Sequence, residues 1–272
     1  MNNKLQQLAK YSSFQHLEVE GWLLEMAIAI IICLDNAQKQ HNIHGHVCEI
    51  GVHHGRLFIL LDLLTREGEN ALAIDVFDDQ HLNYDQSGKG DREIFLNNIN
   101  TYVKNQANLH IIQGDSSTLN GEQIREFAGG KIRLFSIDGS HTKEMTYHDL
   151  MTASQAIESG GIIIIDDYFN EAWPGVSEGT NMFFSQSPAP EVVPFAIGGN
   201  KVFLSHPSRS DIYRQWLFDH LVVDKTKIWL SKKSTFLLGH EVFAINYEYT
   251  TKYELLRVSQ RILKSLTKKI KR

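Results

Sequence analysis

Two adjacent carboxylates, Asp166 and Asp167, close the apolar run "GGIIIIDD". A third, Asp138, ends "KIRLFSID", and His141 follows three residues later. Like charges this close repel, and burying either one unpaired is unfavourable. A divalent cation would neutralise Asp138, Asp166 and Asp167 together. Hard oxygen ligands favour Mg²⁺, with Mn²⁺ or Ca²⁺ as alternatives. The competing reading is structural, with one or both of the paired acids held by an arginine or capping a helix. Metal coordination lowers the pKa of a hydroxyl, and histidine is the natural base near neutral pH. Asp138 and His141 are therefore the candidate catalytic pair, with Lys143 as the rival base.

Acids and glycines recur at the ends of three more apolar runs. "HVCEIGVHHG" carries Glu49, Gly51 and Gly55, "ALAIDVF" carries Asp75, and "NLHIIQGDSS" carries Gly114, Asp115 and Ser116. Gly51 and Gly55 would let the backbone turn tightly and approach a ligand. Their spacing is not the G-x-G-x-x-G of dinucleotide folds. Asp75 stands where an acid can hold a ribose diol. Asp115 and Ser116 could face an adenine edge, or could cap the next helix.

These residues need a scaffold that brings the strand ends together. Short β-branched runs at 46–52, 71–77, 108–115, 131–138 and 161–167 alternate with helical spacing over 56–67, 91–105, 121–128 and 144–158. That rhythm predicts an α/β fold with a mostly parallel sheet covered on both faces. In such sheets ligands bind outside the carboxyl ends of the strands. Residues 78–93 are long for a loop between strand and helix, and they read as a lid with His81 and Tyr84 as candidate substrate contacts. Phe169, Asn170 and Trp173 are candidate walls of an acceptor pocket. We read 1–272 as a single domain, with a helical cap over 1–45, a core over 46–206 and an α/β extension over 207–272. The extension holds "KIWLS", "EVFAINYEY", a helix over 209–222 and a last helix over 252–270.

"EIGVHHG", "AIDVF", "QGDSS", "SIDGSH" and "IIIIDDYF", in this order, resemble class I S-adenosylmethionine-dependent methyltransferases. "IDGSH" followed by "GGIIIIDDY" is most similar to metal-dependent O-methyltransferases of the macrolide-sugar and natural-product type. The resemblance implies a Rossmann-like, seven-stranded sheet with its last strand antiparallel. It implies that S-adenosylmethionine binds through Glu49, Gly51, Gly55, Asp75, Asp115, Ser116 and Asp138. It also implies a divalent metal on Asp138, Asp166 and Asp167, and a small hydroxylated acceptor such as a sugar or natural product. The alternatives are an NAD(P)-dependent oxidoreductase and a methyltransferase-like binding protein without turnover.

Composition narrows the classes further. A net charge of −5 over 272 residues argues against a nucleic-acid partner. The one basic concentration is the tail, 264–272. Two cysteines, Cys33 and Cys48, make no disulfide framework and fit a reducing, cytoplasmic compartment. The longest apolar stretch, 22–34, contains Glu25 and is too short to span a bilayer. It reads as a buried helix or as the face of a homo-oligomer.

Overall fold

A computed structural model describes residues 3–221 and 228–249. The last helix expected over 252–270 and the basic tail lie outside the described residues. Four β-α units and a fifth strand build the centre of the sheet: β1 (His46–Ile50), α3 (Arg56–Leu64), β2 (Ala71–Asp75), α4 (Arg92–Tyr102), β3 (Leu109–Gln113), α5 (Gly121–Ala128), β4 (Ile132–Ile137), α6 (Lys143–Ala156) and β5 (Ile157–Asp166). The last of these is followed by α7 (Pro174–Phe184), β6 (Val193–Gly198), β7 (Lys201–Ser205), α8 (Pro207–His220), β8 (Ile228–Leu237) and β9 (His240–Tyr249). Two helices precede the sheet, α1 (Asn3–Ser13) and α2 (Glu25–Gln40).

The strand order is β3-β2-β1-β4-β5-β7-β6-β9-β8. β1 to β5 run parallel, and β7 runs antiparallel to β5. The first seven strands thus meet the expectation of an antiparallel last member. The expected total of seven does not hold, because β8 and β9 form a hairpin whose β9 adds to β6, giving nine strands among the described residues. β9 buries Val242, Phe243 and Ile245 and pairs with β6, whose edge would otherwise be open.

Successive residues of a strand point to opposite faces, and both faces are apolar here. Val47, Ala73, Leu134, Ile162 and Ile164 join a core with α2, α3, α4 and α8. Cys48, Ile74, Phe135, Ile163 and Ile165 join a second core with α5, α6 and α7. This two-sided burial accounts for four isoleucines in succession. Helix ends are set locally: Asp91 caps α4, Asn120 closes a capping box on α5, and Thr142 caps α6.

The apolar helix starts at Glu25 rather than at residue 22, and Gly21–Leu24 form an extended approach to it. Its Ala27, Ile30, Ile31 and Leu34 are buried in the chain's own core, which leaves them unavailable as an oligomer face. No described helix is long and apolar enough to cross a membrane.

α2 is also tied down by charge. Arg133 of β4 is fully buried and reaches Asp35 of α2 and Glu69 at 2.9 Å each. Its guanidinium also donates to Gln38 Oε1 and to the Leu64 carbonyl, both at 2.9 Å. Removing it would strand two buried carboxylates. Arg133→Met should lower stability by about 3–5 kcal/mol, read by urea unfolding. A loss under about 1 kcal/mol would show that Arg66 and Lys39, the other partners of Asp35, already compensate its charge.

Candidate active site

The carboxyl ends of the central strands surround a cavity of about 930 Å³. At its floor, Asp138 after β4, His141 before α6 and Asp167 after β5 present ligand atoms within 4.8 Å of one another. Asp167 joins this group because the strand ends one residue earlier. Asp166 is the last strand residue, and Asp167 takes a left-handed conformation with φ +58°. The two neighbours therefore leave the pleat, and each acid finds different partners.

Asp166, expected as a metal ligand, lies outside this group and has hydrogen-bond partners of its own. Its Oδ1 accepts the Asp167 N–H at 2.9 Å, and its Oδ2 accepts from the Lys201 ammonium. Lys201 is 2% exposed and Asp166 8%. Asp167 instead accepts at Oδ1 from the Asn170 and Asn200 side chains, and turns Oδ2 to His141 Nε2 at 3.3 Å.

Asp138 feels the crowding most. Burial and the Asp166 charge push its carboxyl up to about 7, against the opposing pull of His141 and Lys201. Glu49 lies just beneath. Burial and Asp138 raise its carboxyl well above the usual range, and its Oε2 has no hydrogen-bond partner. Glu49, expected as a cofactor contact, is buried behind the cavity and is not among the residues that line it.

His141 is held from three sides. Asp85 accepts from its backbone N–H at 2.5 Å and sits 2.8 Å from Nδ1. Asp138 faces Nε2 at 3.7 Å, and Trp173 stacks on the ring at 4.4 Å. Burial alone would lower the imidazole's pKa, but the facing carboxylates of Asp138, Asp167 and Asp85 raise it to about 11. The ring is therefore cationic at neutral pH. Lys143, the rival base, is an exposed residue at the start of α6 and does not line the cavity.

The segment over 78–91 covers one side, as its length suggested. Gln80, Asn83, Tyr84 and Ser87 line the cavity, whereas His81 does not. Besides the Asp85 clamp, Tyr84 donates to Asp115 Oδ2 at 2.8 Å. Opposite, Asn170 and Trp173 form part of the wall, while Phe169 is exposed outside it.

The expected cofactor residues divide. Gly51, Asp75, Asp115 and Ser116 line the cavity together with Asp138, but Gly55 does not. Gly55 is needed for packing: a Cβ there would stand 3.0 Å from the Phe95 ring, at φ +90°. Asp75 already accepts backbone N–H groups from His53 at 2.7 Å and Phe77 at 2.6 Å, so it also shapes the loops around the site. Asp115 caps the short turn that follows it, as its alternative reading held, and still faces the cavity.

Three contributors escaped the sequence reading. Asp85 was hidden in a polar loop. Asn200 and Lys201 had a readable signal: "GGNK" between two apolar runs is a tight-hairpin turn, and Lys201 begins an otherwise apolar strand.

A parallel sheet with an antiparallel seventh strand, carrying glycine and acids at its carboxyl edge, defines the class I methyltransferase fold. Residues 48–168 match the family described as a methyltransferase domain. Residues 48–168 of the chain are thus similar to a methyltransferase domain, on a sheet of class I order. Among solved structures it is similar to the O-methyltransferase NovP, at 16% identity over 66% of this chain and 80% of that one, with a TM-score of 0.52. CalS11, a TDP-rhamnose 3′-O-methyltransferase of calicheamicin biosynthesis, matches at 16% identity over 74% and 92% of the two chains, with a TM-score of 0.48. An O-methyltransferase from Bacillus cereus, in complex with S-adenosylhomocysteine, matches at 13% identity over 75% and 90%, with a TM-score of 0.48. No curated protein matches the chain in sequence.

Proposed function

We propose that the protein is an O-methyltransferase that uses a divalent cation, with Mg²⁺ as the first choice, to methylate a hydroxyl of a small sugar or natural product. The observation that carries the metal is the meeting of Asp138, His141 and Asp167 at the cavity floor. The donor set fits a hard cation: the carboxylates of Asp138 and Asp167 face one space. Asp138 and Asp167 would hold the ion, which when bound acidifies a coordinated hydroxyl. The sugar or natural-product acceptor rests on the likeness of "IDGSH" and "GGIIIIDDY" alone.

The chain's own residues supply the rest. Asp85 on Nδ1 and Trp173 on the ring face fix His141 so that Nε2 points to the acceptor position. Asp138 and Asp167 are the carboxylates that keep a proton on Nε2. When they are committed to a cation, that atom becomes a proton acceptor and His141 acts as the base. Gly51, Asp75, Asp115 and Ser116 mark the cofactor half of the cavity. Alignment of hydroxyl, methyl and sulfur is then the main source of rate.

Calorimetric titration with S-adenosylhomocysteine and with NADH, each with and without Mg²⁺, tests the cofactor assignment. Binding of the first alone is expected, and binding of NADH alone would overturn the reading. His141→Ala should lower kcat by about 10²–10⁴-fold in acceptor assays while cofactor affinity stays within about threefold. A change confined to KM would remove His141 as the base.

A further inference from the structure

One cation in the cavity wall has no acid to balance it. Five aspartates line the cavity, against Arg56, His141 and Lys201. Lys201 is paired with Asp166, and His141 faces Asp85, Asp138 and Asp167. His53 also lines the cavity, but burial and the neighbouring His54 lower its pKa, which favours the neutral ring. Arg56 is different, for it has no carboxylate partner among the described residues: its Nη1 donates to the Gly21 carbonyl, and its buried Nε has no hydrogen-bond partner. A buried donor left open is costly, and arginine keeps its charge at any ordinary pH. The Nε–Nη2 edge of the guanidinium is the fork that matches an anion with two oxygens, such as a carboxylate.

The guanidinium is held from two sides. Arg56 is the first residue of α3 and directly follows the turn from Gly51 to Gly55. Asp75 fixes that turn by accepting the His53 N–H at 2.7 Å. On the other side lies the extended approach to α2. A Cβ at Gly21 would stand 3.3 Å from Arg56 Cβ and 3.6 Å from its Cδ, so the glycine lets this segment lie against the arginine's stem. S-adenosylmethionine carries positive charge on its sulfonium and α-ammonium, and negative charge only on its methionine carboxylate. An acid-rich cavity suits the first two groups and opposes the third. Resting on the cofactor reading above, we propose that Arg56 binds the methionine carboxylate of S-adenosylmethionine through the Nε–Nη2 edge of its guanidinium. The turn after β1 then serves both parts of the cofactor, with Asp75 on its ribose side and Arg56 on its amino-acid side. The segment over 21–24 belongs to the cofactor site too, because the Gly21 carbonyl orients the fork.

The test is calorimetric titration of the full-length protein with three ligands that differ only in the arm on sulfur. They are S-adenosylhomocysteine, its decarboxylated analogue, and 5′-methylthioadenosine, which lacks the whole amino-acid part. The wild type should bind S-adenosylhomocysteine about tenfold or more tightly than the decarboxylated analogue. Arg56→Met keeps the apolar stem and removes the fork. It should weaken S-adenosylhomocysteine by about tenfold or more, and the other two ligands by less than about threefold. Arg56→Lys keeps the charge but not the two-pronged geometry, so it should recover part of that loss. An arginine that only braces the Gly21 segment would weaken all three ligands alike.

Equal losses for the three ligands in Arg56→Met, or no loss for S-adenosylhomocysteine, overturn the inference and leave the cofactor reading intact. If Arg56→Met does not fold, Arg56→Lys decides. Weaker S-adenosylhomocysteine with an unchanged decarboxylated analogue then supports the inference, and a parallel change or none overturns it. Absence of binding by all three ligands to the wild type overturns the cofactor reading and the inference with it.

Discussion

Asp138→Asn should abolish methyl transfer while leaving thermal stability unchanged or raised. Most substitutions of buried residues do the opposite, so the combination is diagnostic. Asp138 is ionised only against resistance, since burial and Asp166 push its carboxyl up to about 7. A group whose folded-state pKa is raised favours folding most below its unfolded value near 3.8, and that contribution is lost as pH rises through about 7. Asparagine removes the charge and with it this loss, so the variant's melting temperature should fall less than the wild type's between pH 4 and pH 7. Turnover should drop by about 10²–10⁴-fold, because acidification and removal of the acceptor proton both depend on this carboxylate. S-adenosylhomocysteine affinity should change little. Thermal scans, acceptor assays and calorimetry read the three quantities on one preparation. Retained turnover would take Asp138 out of the chemistry. A collapse in stability would make it a structural acid.

The second large effect is steric. An alanine at Gly51 would place its Cβ 1.8 Å from the Asp138 carbonyl oxygen and 2.4 Å from the carbonyl carbon. No rotamer can relieve a contact with backbone. Nor can the strands part freely, because the Asp138 N–H is bonded to the Ile50 carbonyl at 2.9 Å. Gly51 is also left-handed, at φ +83°. Overpacking and the left-handed term together should cost about 3–5 kcal/mol in urea unfolding. Gly68→Ala is the control. Gly68 has φ +79° but open space around its Cβ position, so it should lose only the conformational term, about 1–2 kcal/mol. Equal losses at the two sites would mean that the ends of β1 and β4 yield easily. The excess at Gly51 should come with lost S-adenosylhomocysteine binding, since the same turn lines the cavity.

The core strands and their order of use were legible because two-sided burial writes itself into the chain. A strand such as "IIII" leaves few other interpretations when helices flank it on both sides of the sequence. Strand-end acids were legible for a related reason, since a charge after a buried run must sit where the run reaches the surface. β8 and β9 were seen as strand-like, but their place at the sheet edge was not, because an edge strand carries no mark of its partner. Lys201 and Asp85 were missed because they lie far in sequence from the motif they serve. Asp85 reaches His141 across 56 positions, and Lys201 reaches Asp166 across 35.

The sequence alone determined the α/β class, the edge of the sheet where ligands must bind, and the set of acids available there. Burial pattern and residue type suffice for those, since both are local properties. Only the tertiary structure decided how the acids are shared. Asp138, Asp166 and Asp167 look equivalent in a string of letters. A left-handed turn at Asp167 and a lysine delivered by a two-residue hairpin make them unequal. Electrostatic partnership depends on distance and burial, and long-range strand pairing sets both.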